Sequence, residues 1–461
     1  MATLPYFVVS PNSLMSIFGL LHGPDKTVPT PAENRRDAVV DVVIPVFNEQ
    51  KNIAHCLASI AKQTLRPRNV ILIDDGSSDR TLEYAKDMSE TLGLGLIAIR
   101  REKSIGKTPT IKRQSREFDA DVEFILDGDT VLGSPNYIER TVQELYQGIG
   151  IACACGVILP LRDKDRTNLD KDSVMHSFLQ KHPEAKFVQR DSMWQRVKRG
   201  ITNLYRDALY MFLQRFVYHG QMVFVGSITN PVGCAVAYRR KYVKDLFDKY
   251  EPILGDDLTN SEDIFIGFAM TNKGYRNIQV ADVYARSEEP EATRLPRQIY
   301  MWSSSFLQSC YYFDDLLKTP FRVIASLRKK WRDKKVSRET EQKRKIVEQY
   351  RQSFGEEYTK KYGRPVGWIL FTSLLEKIAF PTSFLVMLLL QLWEPLVITI
   401  LAEVILCTLV LFVVAKGQRF NYALKGLVVT PLRYAYLMYD FTVILRFAAD
   451  VWIFKDKKWR K

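Results

Sequence analysis

The 461-residue sequence is poor in cysteine: it has six, scattered along the chain. The closest two, Cys153 and Cys155, stand too near each other for the usual paired-ligand spacing of a zinc site. Reduced cytosolic thiols are the expectation. Neither a P-loop nor a spaced Gly-x-Gly-x-x-Gly fingerprint occurs, so the commonest glycine-rich phosphate cradles are excluded. A secretory leader is not expected either, because Leu14–Leu21 is short, broken by polar residues and not preceded by a basic stretch. An amphipathic interfacial helix over Ser13–His22 and a surface-packed segment fit it equally well.

Charge is unbalanced, with a formal net charge of +14. Much of the surplus lies in Arg322–Arg364 and Lys455–Lys461. Such runs suit anionic lipid headgroups, nucleic acid or simply a solvated helical face. The run directly before an apolar tail favours membrane lipids as partner and no nucleic acid.

Long apolar runs crowd into Trp368–Phe454. Trp368–Leu392 and Pro395–Val414 are each long enough to cross about 30 Å of hydrocarbon. Glu376, Lys377 and Pro381 weaken the first, and Glu403 in the second needs a partner or a cavity. The QLWEP connection lacks Lys and Arg, whereas AKGQRFNYALK is basic, which places the head on the cytosolic side of an integral membrane protein. Leu427–Phe454, interrupted by Arg433, Asp440, Arg446 and Asp450, reads as a final interfacial helix, with a third crossing as the alternative. The expected organisation is an N-terminal segment (1–35), a catalytic α/β domain (36–316), a basic membrane-proximal segment (317–365) and a transmembrane and interfacial region (366–461).

Within the α/β part, Val39–Val46 is a continuous β-branched run, the pattern of a buried strand. Asn52–Gln63 reads as a helix, Asn69–Ile73 as a strand, Thr81–Leu92 as a helix, and Gly95–Arg100 and Phe124–Leu126 as strands. This alternation argues for a parallel sheet, whose ligands bind beyond the carboxyl ends of the strands. The middle stretch Leu161–Gln221 is polar, charged and helix-prone, and Val336–Lys361 reads as a solvated or membrane-surface helix.

Acidic motifs fall at those strand ends. Asp127-Gly128-Asp129 spaces two carboxylates onto one face, as a divalent cation bound to a diphosphate requires. Asp74 and Asp75 can reach a ribose or base, with Gly76 permitting close backbone approach. Gly106-Lys107 offers a flexible cation for a diphosphate. A general base is also needed to deprotonate an attacking hydroxyl. Asp263 is the choice, with Glu262 beside it and Asp256–Asp257 as rivals. An N-cap role with helix-dipole stabilisation is the structural alternative.

The order VVIPVFNE (Val42–Glu49), IDDGS (Ile73–Ser77), DGD (Asp127–Asp129), SED (Ser261–Asp263) and QxxxW (Gln298–Trp302) resembles the family-two glycosyltransferases, especially the membrane synthases of cellulose, chitin and hyaluronan. The match runs over Val39–Trp302. It implies a GT-A fold, a Rossmann-type mixed sheet with helices on both faces, a nucleotide-sugar donor with uridine as the base, and Mg2+ or Mn2+. By position, Pro45, Asn48, Glu49, Asp74, Asp75 and Lys107 would serve the donor, Asp127 and Asp129 the metal, and Asp263 with Glu262 the chemistry. Gln298 and Trp302 would sit beside the donor diphosphate and the acceptor sugar. Asn230–Arg240, with Gly233 and Cys234, looks like the family's acceptor-side segment. The family has Arg directly before its Trp; here Met301 stands there, and Arg294 or Arg297 would have to supply the charge. The resemblance implies an inverting enzyme that elongates a β-linked polysaccharide, aided by a homo-oligomer or partner subunit. The alternatives are transfer of one sugar to a lipid-linked or polyprenyl-phosphate acceptor, and a non-catalytic basic membrane scaffold.

Overall fold

The computed structural model describes residues 11–22, 38–147, 150–186, 192–254, 261–289, 292–336 and 354–454. One eight-stranded sheet forms the head, in the order β3-β2-β1-β4-β7-β6-β8-β5. Its strands are β1 Val40–Val46, β2 Asn69–Asp74, β3 Leu96–Arg100, β4 Val122–Leu126, β5 Thr130–Leu132, β6 Ile151–Pro160, β7 Ala235–Arg239 and β8 Arg276–Ser287. The first four are parallel: α1 Pro11–His22 precedes the sheet, and α2 Ile53–Ala61, α3 Thr81–Leu92 and α4 Lys107–Glu117 connect these strands. The central strands β1 and β4 lack alternation because helices cover them: β4 is buried at every position, as is β1 except at Pro45.

β7 breaks the parallel pattern. It runs antiparallel to β4, pairing Leu126 with Ala235, and antiparallel to β6 on its other side. The sheet is therefore mixed, not purely parallel as the alternation alone indicates. Because β7 starts where β4 ends, residues ahead of β7 arrive at the carboxyl end of β4. The Asp127 amide donates to the Cys234 carbonyl at 2.9 Å.

The remaining helices are α5 Tyr137–Gln147, α6 Asp163–Leu169, α7 Ser173–Lys181, α8 Met193–Phe212, α9 Tyr218–Val225, α10 Arg240–Leu254, α11 Glu262–Lys273, α12 Leu295–Tyr312, α13 Asp314–Leu317, α14 Val323–Val336, α15 Glu356–Tyr362, α16 Pro365–Leu389, α17 Trp393–Val414 and α18 Arg419–Trp452. A capping box between Ser192 and Gln195 starts α8, which passes through a π-helical turn, Leu213–Val217, into α9. α1 crosses α9 at backbone contact: a Cβ on Gly19 would lie 2.8 Å from the Gly220 Cα. Its other face leaves Phe18 and Leu21 exposed, so the helix expected over Ser13–His22 both packs on the head and presents an apolar edge.

α16 and α17 are long and apolar enough to cross a membrane, and among the described residues only these two helices meet that test. α18 is a single 34-residue helix with Pro431 inside it, packed along α17. Glu403 of α17 has its partners there: Arg433 forms an ion pair with it and the Tyr434 hydroxyl donates to it at 2.5 Å. Burial without such partners would be costly. Residues 337–353 and 455–461, which carry part of the expected basic segment and the basic end, lie outside the described residues.

Candidate functional site

The carboxyl ends of β1, β2 and β4 meet in one acidic hollow. Asp127 and Asp129 flank Gly128, where a Cβ would fall 2.6 Å from Val46 and 3.3 Å from Glu49, so only glycine fits this turn against the end of β1. Glu49 and Glu288 complete the cluster; the Asn52 amide group donates to both, at 2.8 and 2.6 Å. The Glu288 amide in turn donates to the Asp129 carbonyl at 3.2 Å.

Electrostatics mark this cluster as short of positive charge. Burial raises Asp129 well above the usual carboxylate range, and the Asp127 and Glu49 carboxylates add to it. Burial likewise pushes Glu49 up to about 7, opposed by the Asn52 hydrogen bond and reinforced by Glu288 and Asp127. Asp127 is raised by burial, with Lys107 pulling the other way. A divalent cation would relieve this repulsion, and an all-oxygen donor set suits Mg2+ or Mn2+. Among the described residues no group of three or more His, Cys, Asp or Glu side chains is placed to hold a metal ion by itself. Asp127 and Asp129 therefore fit a site in which protein supplies part of the coordination and phosphate oxygens the rest.

Lys107 opens α4 and occupies the middle of the hollow. Its ammonium lies 2.7 Å from Asp127 Oδ1 and 2.8 Å from Glu262 Oε1, and donates to the Gly233 carbonyl at 3.1 Å. Burial disfavours its charge, but the Asp127 and Glu262 carboxylates outweigh that and hold it well above the ordinary lysine range.

Asp263 sits on the first turn of α11. Its Oδ2 accepts from the Gly233 amide at 3.1 Å, and its Oδ1 from Ser261 and from the Ile264 amide at 2.8 Å. α11 approaches the Asn230–Cys234 segment this closely because two glycines allow it. A Cβ on Gly233 would meet Asp263 at 2.8 Å, and one on Gly267 would meet Pro231 at 2.8 Å. Burial raises Asp263 to about 6; Glu262 adds to the rise, while Ser261 and Lys107 lower it. Ser261 is the N-cap residue of α11 without a side-chain cap bond; its hydroxyl donates to Asp263, whose carboxylate takes the Ile264 amide of the first turn. The rivals Asp256 and Asp257 lie outside the described residues.

Asp74 and Asp75 differ. Asp74 is buried, with one oxygen taken by the Ser77 amide at 2.9 Å and Arg100 at 3.7 Å from the other. Asp75 holds the loop ahead of α4: it accepts from the Ser104 hydroxyl at 2.6 Å, the Ile105 and Gly106 amides at 3.0 and 2.8 Å, and Arg101 at 3.0 Å. Burial opposes its ionisation, yet these donors hold it below the usual carboxylate range. Asp75 thereby shapes the loop that delivers Lys107. Asn48 follows the end of β1 with a left-handed φ of 58°, and its side-chain oxygen accepts from the Ser78 amide at 2.9 Å. Pro45 pairs with Ile73 inside the sheet.

Gln298 and Trp302 lie on the first two turns of α12, but their cation does not come from the expected neighbours. Arg294 and Arg297 are exposed. Arg206 of α8 instead donates to Gln298 Oε1 and lies over the Trp302 ring, 4.7 Å from its centre. Its Nε is 3.1 Å from Glu289 Oε2, next to the Glu288 that borders Asp129. Arg206, Glu288 and Glu289 escaped the sequence reading. The only local signal is a basic side chain four residues after buried Thr202, on the inward face of α8.

Residues 41–247 match the family model described as Glycosyl transferase family 2. An undecaprenyl-phosphate 4-deoxy-4-formamido-L-arabinose transferase from Serratia proteamaculans is 31% identical over 115 residues, 24% of this chain and 35% of that protein. A dolichol-phosphate mannosyltransferase from Pyrococcus furiosus is 31% identical over 115 residues, 24% of this chain and 32% of that protein. The chain thus spans about a third of the length of the curated relatives it matches. A solved mannosyltransferase from Pyrobaculum calidifontis, in complex with GDP-Man and Mn2+, is similar at 13% identity and a TM-score of 0.49, over 98% of this chain and 99% of that one. The head has the GT-A, Rossmann-like mixed sheet, followed by apolar helices consistent with membrane anchoring.

Proposed function

We propose that this protein is a membrane-bound glycosyltransferase of family two that transfers one sugar from a nucleotide diphosphate donor to a phosphate-ended lipid acceptor, with its head on the cytosolic side. The observation that carries the reading is the meeting of Asp127, Lys107, Glu262 and Asp263 in one network of contacts at the carboxyl ends of the strands. The family match over residues 41–247 supports the reaction class. The two curated relatives described above, both named for lipid-phosphate acceptors, favour single transfer over the polysaccharide elongation expected from the motifs.

In this reading Asp127 and Asp129 hold a Mg2+ or Mn2+, which when bound neutralises the charge growing on the departing diphosphate. Lys107 stands where it can exchange Asp127 for a phosphate oxygen without leaving the hollow. Glu262 keeps Lys107 charged, and Gly233 orients Asp263 through its amide. Gln298 and Trp302 would lie beside the donor and the acceptor, the indole giving an apolar face for a sugar. α16 and α17 keep the head at the bilayer, where a lipid acceptor is delivered.

A second reading is favoured by Asp263 itself. A phosphate acceptor is already ionised near neutral pH, whereas a sugar hydroxyl needs a base, and a carboxyl at about 6 is suited to that. Detergent-purified protein is to be assayed for nucleoside diphosphate release across a panel of donors, with polyprenyl phosphate or oligosaccharide as acceptor and Mn2+ or chelator. One discrete lipid product supports the leading reading. A ladder of oligosaccharides with no lipid product overturns it in favour of elongation, and no turnover with any pair overturns both.

A further inference from the structure

Arg206 has no role in the reaction described above, yet it is fully buried, at the junction of three parts of the chain. It donates to Gln298 Oε1, lies over the Trp302 ring at 4.7 Å and meets Glu289 at 3.1 Å. An amide whose oxygen is bound to a guanidinium has only one orientation, with its NH2 group turned elsewhere. A planar cation on an indole face fixes the ring in the same way. Its neighbours in sequence are gripped from outside the head. Tyr205 stacks on Tyr436 of α18, ring centres 4.7 Å apart and planes 28° apart. Asp207 holds Lys425 of α18 at 2.7 Å and Arg162 at 2.6 Å. Arg206 therefore points into the head from a helix clasped by the C-terminal tail on either side of it.

We propose that Arg206 is a positioning residue for the donor site: it sets the Gln298 amide and the Trp302 indole, supplying from α8 the cation that Met301 does not supply from α12, and α18 fixes its place through Tyr436 and Lys425. The inference rests on the reading of Gln298 and Trp302 as bordering the donor and acceptor.

The test uses the full-length protein in detergent, labelled with 5-fluorotryptophan, with the Trp302 resonance assigned by its loss in Trp302→Phe. Arg206→Met, Arg206→Lys and the double variant Arg206→Met/Met301→Arg are compared with the parent. Arg206→Met is expected to move the Trp302 resonance and to raise the donor KM about tenfold with a smaller change in kcat. Arg206→Lys, which keeps the charge but not the planar stack, should fall between. The double variant, which returns a guanidinium beside Trp302, should recover part of the donor KM. The proposal is overturned by an unmoved resonance and an unchanged KM in Arg206→Met. It is equally overturned if all three variants lose activity only in step with a lower melting temperature, since that is a structural role. If the parent turns over no donor, the proposed function falls, while the resonance still decides whether Arg206 sets Trp302.

Discussion

On the β1–β4 side of the hollow, functional side chains are held by backbone within a few dozen residues: Asp75 by the amides of Ile105 and Gly106, Asp74 by Ser77, Asn48 by Ser78. On the helical side, single side chains meet across far longer stretches of sequence. Arg206 reaches Gln298, Lys425 reaches Asp207, and Lys377 reaches Asp440. The first construction ties neighbouring strand-end loops to one another through backbone amides. The second depends on how whole helices pack, so its geometry can be altered from far away. Substitutions on the two sides should therefore fail in different ways.

The largest effect is expected on the loop side. Asp127→Asn and Asp129→Asn should each lower nucleoside diphosphate release about a thousandfold, since several kcal/mol of charge neutralisation go with the metal. A loss under tenfold would remove these residues from the metal. Gly233→Ala sits where the two sides touch. Its methyl group would intrude on Asp263, and overpacking of about 1–3 kcal/mol predicts a ten- to hundredfold lower kcat. Unchanged kcat would show that Asp263 need not be seated against that amide.

The pH dependence sharpens the comparison further. If Asp263 acts as a base, kcat with a hydroxyl acceptor should fall about tenfold per pH unit below about 6, and Asp263→Asn should abolish that limb. With a phosphate acceptor, Asp263→Asn should cost much less. Stability follows Glu49, whose folded value of about 7 exceeds its ordinary 4.5. The folded protein then binds the extra proton, so this contribution is complete below pH 4.5 and is lost as pH rises through about 7. The metal-free protein should therefore melt a few degrees lower at pH 8 than at pH 5.5, and Mn2+ should narrow the gap. A flat melting temperature would mean that burial does not hold the Glu49 carboxyl above its ordinary range. The smallest effect is expected for Lys425→Met: about a two- to fivefold rise in donor KM, the scale of a partly exposed ion pair. A larger loss would show that α18 controls the site more tightly than one contact accounts for.

These two constructions also explain what the sequence disclosed. Strand, turn and carboxylate are contiguous in IDDGS and DGD, so β2, β4 and their acidic ends were readable from β-branched runs ending in Asp and Gly. That Asp263 lies near the start of a helix after Ser261 was also readable. The reversed direction of β7 was not, since a short apolar strand carries no mark of its polarity within a sheet. Asp75's part in shaping the Ser104–Gly106 loop was hidden as well, because an aspartate at a strand end looks the same whether it meets a ribose or its own chain. Arg206 was the least legible: the deciding partners, Gln298, Trp302 and Glu289, lie more than 80 positions away. Glu403 was recognised as needing a partner, but Arg433 and Tyr434 could be assigned only once α17 and α18 lay side by side.

The reversal of β7 has a further consequence for how such a chain can diversify. The whole stretch from the end of β6 to the start of β7 leaves the sheet and returns to it beside β4, so it is a detour anchored at two neighbouring points. Such a detour can be exchanged between related chains only if Arg166, which donates to Asn52, and Gly233 and Cys234, which meet Asp263 and Asp127, keep their places. Here it is also tied through Tyr205 and Asp207 to α18. An exchange that carried the detour alone would leave those ties unmatched; the transplantable unit is the detour together with the tail helix that clasps it.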